Sequence, residues 1–429
     1  MTVTPWGRAD ELRSRKLRPG PASSRAEVVA NQRERLFGAM VAAVAERGYD
    51  KTRVADLLTI SGVSRSTFYK HFDNKQDCFL ATIDAVAATS GERVIASFLD
   101  HDGPWQEKFE RAFETLVAAI VASPAAAHLY YVDTYAVGRE AIEKVERMGD
   151  RLEQLTIQAI EQSPDHAGMP NDIVRAVLRG FRRVIQTRLR TGRERDLLSE
   201  GPELLRWAIG YRTPPQRLQR PRKPPAGGFQ PSPADLSDSR ERILTSVIEL
   251  MAEKGYKAMT INEIAQRASI SLTTFYDRFD GKDDAVVAAL RRDANRVLEA
   301  TAPAFRAERD WPHAMAAALR AFFAFLVLEQ PFAQFGGVDV HSGIRLVVEV
   351  RDQLLAASQA FIAEGYREHP GANPIAGEAI GASIDALLFD QLVRRGPQHI
   401  YELAPTATYM VLVPFVGPEQ ACAIANASR

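Results

Sequence analysis

A thirteen-residue stretch, VSRSTFYKHFDNK from Val63 to Lys75, constrains this chain more than any other feature, because it returns as ISLTTFYDRFDGK from Ile270 to Lys282. Gly48 pairs with Gly255 and Lys75 with Lys282 at one offset of 207 residues, so the two copies align without a gap. A shared helical pattern alone does not hold register over that distance. Whatever the first copy folds into, the second copy folds into as well.

Each copy reads as three helices with a turn between the last two. Ser24 and Glu27 have the spacing of a capping box, and Val28, Leu36, Met40, Val41 and Val44 continue at helical intervals until Gly48. A short second helix covers roughly Thr52 to Ile60 and buries Val54, Leu57 and Leu58. Gly62 supplies a left-handed turn and Ser64 caps the third helix, whose Phe68 and Phe72 face inward together. In the second copy the same parts are Asp238 with Glu241, Gly255, the capping box Thr260 to Glu263, Ser271, and the pair Phe275 and Phe279.

With the phenylalanines turned in, the third helix presents Arg65, Ser66, Thr67, Lys70 and His71, donors suited to base edges and phosphates in a major groove. Tyr69 and Lys75 flank that face as phosphate contacts. A solvated amphipathic helix explains one such segment equally well, but it does not explain the segment twice in the same three-helix order. These residues resemble bacterial TetR-type (tetracycline-repressor-like) transcriptional regulators: Gly-Tyr at 48 and 255, then SGVSRSTFYKHFDNK and its partner ASISLTTFYDRFDGK. The resemblance implies an all-helical fold in which an N-terminal helix-turn-helix reader precedes a larger helical body that binds a small ligand and dimerises through its last helices. Carried over position by position, it implies DNA contacts from Thr52, Arg53, Ser64, Arg65, Ser66, Thr67, Tyr69, Lys70, His71 and Lys75. The second set is Thr260, Ser271, Leu272, Thr273, Thr274, Tyr276, Arg278 and Lys282.

The copies depart from the pattern at informative places. Arg53 stands where the family has a capping Ser or Thr, so Thr52 is expected to cap the second helix one residue early. Ser269 replaces the turn glycine, which puts a side chain where positive φ is required. Charge differs too: Arg65, Lys70 and Lys75 face Asp73 and Asp77, whereas Arg278 and Lys282 face Asp277, Asp280, Asp283 and Asp284. Carboxylates near phosphates weaken binding.

A chain of 429 residues exceeds one ordinary core, and two bodies near 200 residues fit the repeat. The formal net charge of zero conceals a division, since residues 1–211 hold 30 basic and 29 acidic groups, 212–236 hold 5 and 1, and 237–429 hold 19 and 24. The boundaries expected are a basic disordered tail over 1–22, a first reader over 23–78 and its body over 79–211. A Pro/Arg-rich linker over 212–236, a second reader over 237–285 and its body over 286–429 follow. Within the bodies, Tyr130, Tyr131 and Tyr135 near Pro124, and Phe322, Phe323, Phe325, Phe332 and Phe335 around Pro331, are either core or the lining of a pocket. Ile173–Leu189, Glu203–Tyr211, Ala379–Leu392 and Tyr409–Val416 are the expected pairing helices.

Cys78 and Cys422 stand far apart, the eight histidines lack metal-ligand spacing, and neither a GxSxG run nor a phosphate-cradling glycine loop occurs. No enzyme, metal or cofactor is expected. The start MTVTPWGRAD lacks an apolar leader, and the uncharged run Thr115–Val132 is broken by Pro124, so a cytoplasmic chain without membrane spans is the expectation. Three readings result: a ligand-responsive DNA-binding regulator, expected to repress, with two readers; a regulator whose first reader alone touches DNA; and a helical ligand-binding protein without DNA binding. The partners expected are a double-stranded operator, a small apolar effector, and the chain's own second half in a covalent pseudo-dimer, with a homodimer of chains as runner-up. The linker suits that pairing, since about 25 extended residues reach roughly 75 Å, against half-sites about 34 Å apart.

Overall fold

The computed structural model of the protein describes residues 2–17, 24–164, 166–221, 223–224, 237–338 and 359–427. Among them the chain is all-helical apart from one antiparallel pair of two-residue strands, Val3–Thr4 with Gly7–Arg8. It divides into two compact units, Met1–Ala167 with Arg182–Leu205, and Gly168–Phe181 with Arg206–Arg429. These units do not follow the boundary expected at residue 211.

In the first unit, Ser24 and Glu27 close a reciprocal capping box at the start of the Arg25–Arg47 helix, which ends where Gly48 takes φ 76°. The Val54–Ser61 helix stops at Gly62, whose φ of 65° and ψ of 20° give the left-handed turn, and the Arg65–His71 helix follows. Leu36, Met40, Leu57, Phe68 and Phe79 are fully buried, and one core joins them to Leu129, Tyr130 and Val145 of the body. The reader is therefore seated on its body through shared apolar packing. Beyond it, Lys75–Val86 continues through a π turn at Ala87–Gly91 into Glu92–Leu99, with helical backbone angles at both joins. Trp105–Ala122 ends at Ser123, and Arg139–Glu161 crosses the body.

The N-terminal segment corrects the expectation of a disordered tail for residues 2–17. Leu12 is fully buried against Gly38, where an added Cβ would meet Leu12 Cδ1 at 2.8 Å and Thr4 Oγ1 at 3.2 Å. Trp6 packs on Phe37 with ring centroids 5.4 Å apart. The sequence reading weighed the charges of this segment and overlooked two apolar anchors sufficient to dock it.

The second unit repeats the reader. Ser239–Ala258 contains Gly255 at φ 76°, Ile261–Arg267 is capped by the Thr260–Glu263 box, and Leu272–Tyr276 is capped by Ser271. Asp238 caps its helix by accepting from the Arg240 amide, and Glu241 pairs with Arg292 at 3.2 Å, so the expected box with Glu241 does not form. Lys282–Arg306, Trp311–Leu328, Ala376–Arg395 and Ala404–Asn426 build the body. Two segments from the first half of the sequence belong to this unit. Gly180 lies so close to the Ala376–Arg395 helix that a Cβ would meet Ser383 Oγ at 2.0 Å and the Ala379 carbonyl at 2.9 Å. The Tyr211 hydroxyl donates to the Met410 carbonyl (2.8 Å) and the Tyr409 hydroxyl to the Arg212 carbonyl (2.7 Å). The first part of the expected linker follows the last helix, with Asn426 bonding the Arg217 carbonyl (3.1 Å) and the Gln219 amide (2.9 Å). Residues 222 and 225–236 of that linker lie outside the described residues, as does the Phe335 side chain.

Two described helices are long and apolar enough to cross a membrane, Trp311–Leu328 and the Pro397–Asn426 run, and 61% and 78% of their apolar windows are buried inside the protein. The Thr115–Val132 run is bent by 110° at its proline.

Candidate DNA-binding interface

Ser64 accepts from the Thr67 amide (3.2 Å), and its hydroxyl also lies 2.8 Å from that of Thr67 and 3.1 Å from that of Ser66. Phe68 is fully buried, 5.7 Å from Phe72 between ring centroids. Inserting this pair fixes the rotation of the helix, and Arg65, Ser66, Tyr69 and Lys70 are left exposed with Thr67 half-buried. Arg65 reaches back over the Tyr69 ring, 5.9 Å from its centroid. The result is a seven-residue helix with an arginine, hydroxyls and a lysine on its outer side, a donor set that matches base edges and phosphates.

Four expected contacts take other partners. Thr52 is buried and its hydroxyl donates to the Gly48 carbonyl (2.8 Å), so it neither caps the second helix nor faces outward. The cap is Arg53, exposed, whose amide donates to the Asp56 carboxylate at 2.8 Å. Lys75 donates to the Tyr49 carbonyl (2.8 Å) with its ammonium 4.0 Å from the centre of that ring, and desolvation lowers its pKa below the ordinary lysine value. Lys282 donates to the Tyr256 carbonyl (3.1 Å) and the Met259 carbonyl (3.0 Å), with its ammonium 4.1 Å from the centre of the Tyr256 ring. The closing lysines thus brace the reader from within, joining the start of the fourth helix to the end of the first. His71 Nε2 lies 2.9 Å from Gln32 Oε1. Desolvation, then the charges of Arg33 and Lys70, hold its imidazole below the ordinary histidine value, so at neutral pH it is uncharged.

Sequence reasoning missed two arginines that set the angle between the helices. Arg35 is buried and donates to the Ser61 carbonyl (3.0 Å), and Arg242 donates to the Ala268 carbonyl (2.9 Å), each satisfying a carbonyl at the end of the second helix. Arg33 lies 5.1 Å from the Phe72 ring centroid and Arg240 5.5 Å from that of Phe279. The available signal was arginine at both positions in both copies, 207 residues apart.

The second reading helix differs in ways that bear on DNA. Leu272–Tyr276 has five residues, with Leu272, Thr273, Tyr276 and Arg278 exposed and Thr274 half-buried. Ser271 caps it by accepting from the Thr274 amide (3.0 Å). Ser269 holds φ 52°, the strained turn expected from its sequence position. The Thr260 hydroxyl is occupied by Glu263, whose carboxyl is pulled to about 2 chiefly by hydrogen bonds from Lys254 and Thr260. Asp277, Asp280, Asp283 and Asp284 are exposed around this face, and Tyr256 donates to Asp283.

Residues 39–82 and 243–289, which hold the two reading helices, each match the family described as bacterial regulatory proteins, tetR family. By these two matches the chain carries the DNA-binding domain of the TetR family twice. Among curated relatives, this chain is similar to the HTH-type transcriptional activator FasR of Mycolicibacterium smegmatis, at 32% identity over 111 residues, 25% of this chain and 50% of that one. It is also similar to the uncharacterized HTH-type regulator YvkB of Bacillus subtilis (38% over 66 residues, 15% of this chain and 35% of that one). A third relative is the HTH-type regulator SrpR of Pseudomonas putida (23% over 129 residues, 30% and 58%). The chain spans about half the length of the first of these curated relatives. Solved structures similar to it include the fatty acid degradation regulator FadR from Bacillus halodurans, at 14% identity and a TM-score of 0.37, covering 43% of this chain and 97% of that one.

Proposed function

We propose that this chain is a cytoplasmic transcriptional regulator of the TetR type that carries both of its DNA readers on one polypeptide and pairs its two halves as a covalent pseudo-dimer. The observation that carries the reading is that the whole reader is repeated with its internal braces, Arg35 with Arg242 and Lys75 with Lys282, and not merely a helix. The intramolecular pairing is supported by Gly180 against Ser383 and by the Tyr211 and Tyr409 hydroxyls, which bond backbone carbonyls 199 and 197 residues away in the sequence. Tethering places the halves at roughly millimolar effective concentration, which favours internal pairing over a second chain of similar affinity.

In this reading Arg65, Ser66, Thr67 and Lys70 approach bases, with Arg53 and Tyr69 beside them on phosphates. Thr273, Thr274, Tyr276 and Arg278 form the weaker half. A footprint on the DNA beside the protein's own gene, combined with light scattering at micromolar concentration, tests it. We expect an asymmetric site spanning two half-sites and a mass near 47.5 kDa. A symmetric footprint with twice that mass would replace the pseudo-dimer by a homodimer. A relative named as an activator shares the reader, so the position of the footprint relative to the promoter decides between repression and activation.

Effector binding by the bodies belongs to the same reading. The second body's interior is aromatic, with Trp311, Phe323 and Phe325 fully buried or nearly so. The first body's interior is more polar than its sequence suggested: Arg182 pairs with Glu146 beside Tyr130, whose buried hydroxyl has no partner among the described residues. An effector there would carry a hydrogen-bond acceptor. A compound that raises the melting temperature and changes operator affinity in parallel would support the sensing role, because a ligand moves DNA binding only by distinguishing the two states.

A further inference from the structure

The docked N-terminal segment has a consequence beyond its own packing, and it rests on the DNA-binding reading above. The segment is fastened at several levels: the Val3 carbonyl accepts from Ser123 Oγ of the body (3.1 Å), Leu12 sits on Gly38, and the Leu17 amide and Arg15 carbonyl both bond the Asn31 side chain (3.2 and 3.1 Å). Its remaining fixed point is the turn before the reading helix. A Cβ on Gly62 would meet Arg13 Cγ at 2.6 Å, so the aliphatic stem of Arg13 lies directly on the turn, two residues before the Ser64 cap. In helix-turn-helix proteins the N-terminal residues of the recognition helix are those that meet base edges.

Arg13 is exposed at this turn and Lys16 beside the Asn31 anchor on the first helix, and neither forms an ion pair among the described residues, whereas Arg8 is neutralised by Asp10 and Glu11. Two exposed cations without ion-pair partners on one docked segment, one of them seated on the turn before a reading helix, have one obvious complement, the phosphate backbone at the edge of the groove that helix enters. We propose that residues 2–17 form an ordered arm belonging to the first reader, and that Arg13 and Lys16 hold DNA phosphates adjacent to the site of Arg65 and Ser66.

The test uses the full chain with Arg13→Gln and Lys16→Gln together, which keeps the stems and removes the charges. Binding to a mixed-sequence duplex of about 30 base pairs is measured from about 50 to 200 mM salt. Two lost phosphate contacts should make the slope of log affinity against log salt shallower by about 1.8 and lower affinity roughly ten- to a hundredfold near 0.1 M salt. The melting temperature should stay unchanged, since both heads are exposed. An unchanged slope, with Arg65→Ala plus Lys70→Ala still abolishing sequence preference, would overturn the arm and leave the reader in place. A wild-type chain with no salt-dependent binding to duplex would overturn the DNA reading and the arm with it.

Discussion

Lys75 shows how a residue's partners change the meaning of its position. At the end of a recognition motif a lysine suggests a phosphate contact, yet its ammonium is committed to the Tyr49 carbonyl and ring. Lys75→Met keeps the stem and should lower stability by about 1 to 2 kcal/mol in a denaturant titration. Arg65→Ala with Lys70→Ala should do the reverse, leaving stability within about 0.5 kcal/mol while each lost base contact costs about 1 to 3 kcal/mol of operator affinity. Ser269→Gly should stabilise the second reader by about 1 kcal/mol, because its φ of 52° is free of penalty for glycine. His71 gives the first reader a pH dependence of known sign. Its folded pKa is depressed, so the unfolded chain binds the proton more tightly. Stability is therefore full above the ordinary histidine value of about 6.5 and falls as pH drops through it. His71→Gln should flatten that part of the stability profile measured by thermal melting.

At the level of elements, the two reading helices are the same device with different surfaces. Both bury a phenylalanine pair and both are capped by serine, but one has seven residues and the other five. The outer side of the second carries Leu272 where the first has Arg65, and Asp277 where the first has Lys70. Leu272→Arg with Asp277→Lys converts both positions at once. If the second helix reads DNA, its half of the footprint should strengthen and the salt dependence of binding should steepen by roughly two phosphate contacts. No change in footprint or slope would mean that this helix does not approach DNA.

For the whole molecule, the question is how the two halves of the sequence are joined. Gly180 is the most sensitive point, since any side chain there collides with Ser383 Oγ and the Ala379 carbonyl. Gly180→Leu should cost several kcal/mol by overpacking at a helix crossing. If the halves pair as proposed, this should shorten the footprint to the single half-site of the first reader and leave the mass near 47.5 kDa. The Arg179–Asp390 pair at 3.5 Å, with both side chains largely buried, tests the same contact more gently. Exchanging the two residues should be better tolerated than either single replacement.

Much of the reader was legible in the sequence because it is local. The Ser24–Glu27 and Thr260–Glu263 capping boxes, the glycine at the turn, the strain at Ser269 and the inward phenylalanine pairs act within a few residues of one another, so spacing determined them, whereas the box expected at Asp238 lost Glu241 to the distant Arg292. The repeat determined that whatever held for one copy held for the other. The structure decided what depends on partners distant in sequence. It turned Thr52 inward onto Gly48, engaged Lys75 and Lys282 as braces, and placed Arg35 and Arg242 beneath the second helices. It also docked the N-terminal arm through Leu12 and Trp6, two apolar residues among charges that no periodic pattern would single out. A side chain's hydrogen-bonding capacity is visible in its type, but which groups it meets is set by packing across tens or hundreds of residues, and that is where the functional face of this protein was decided.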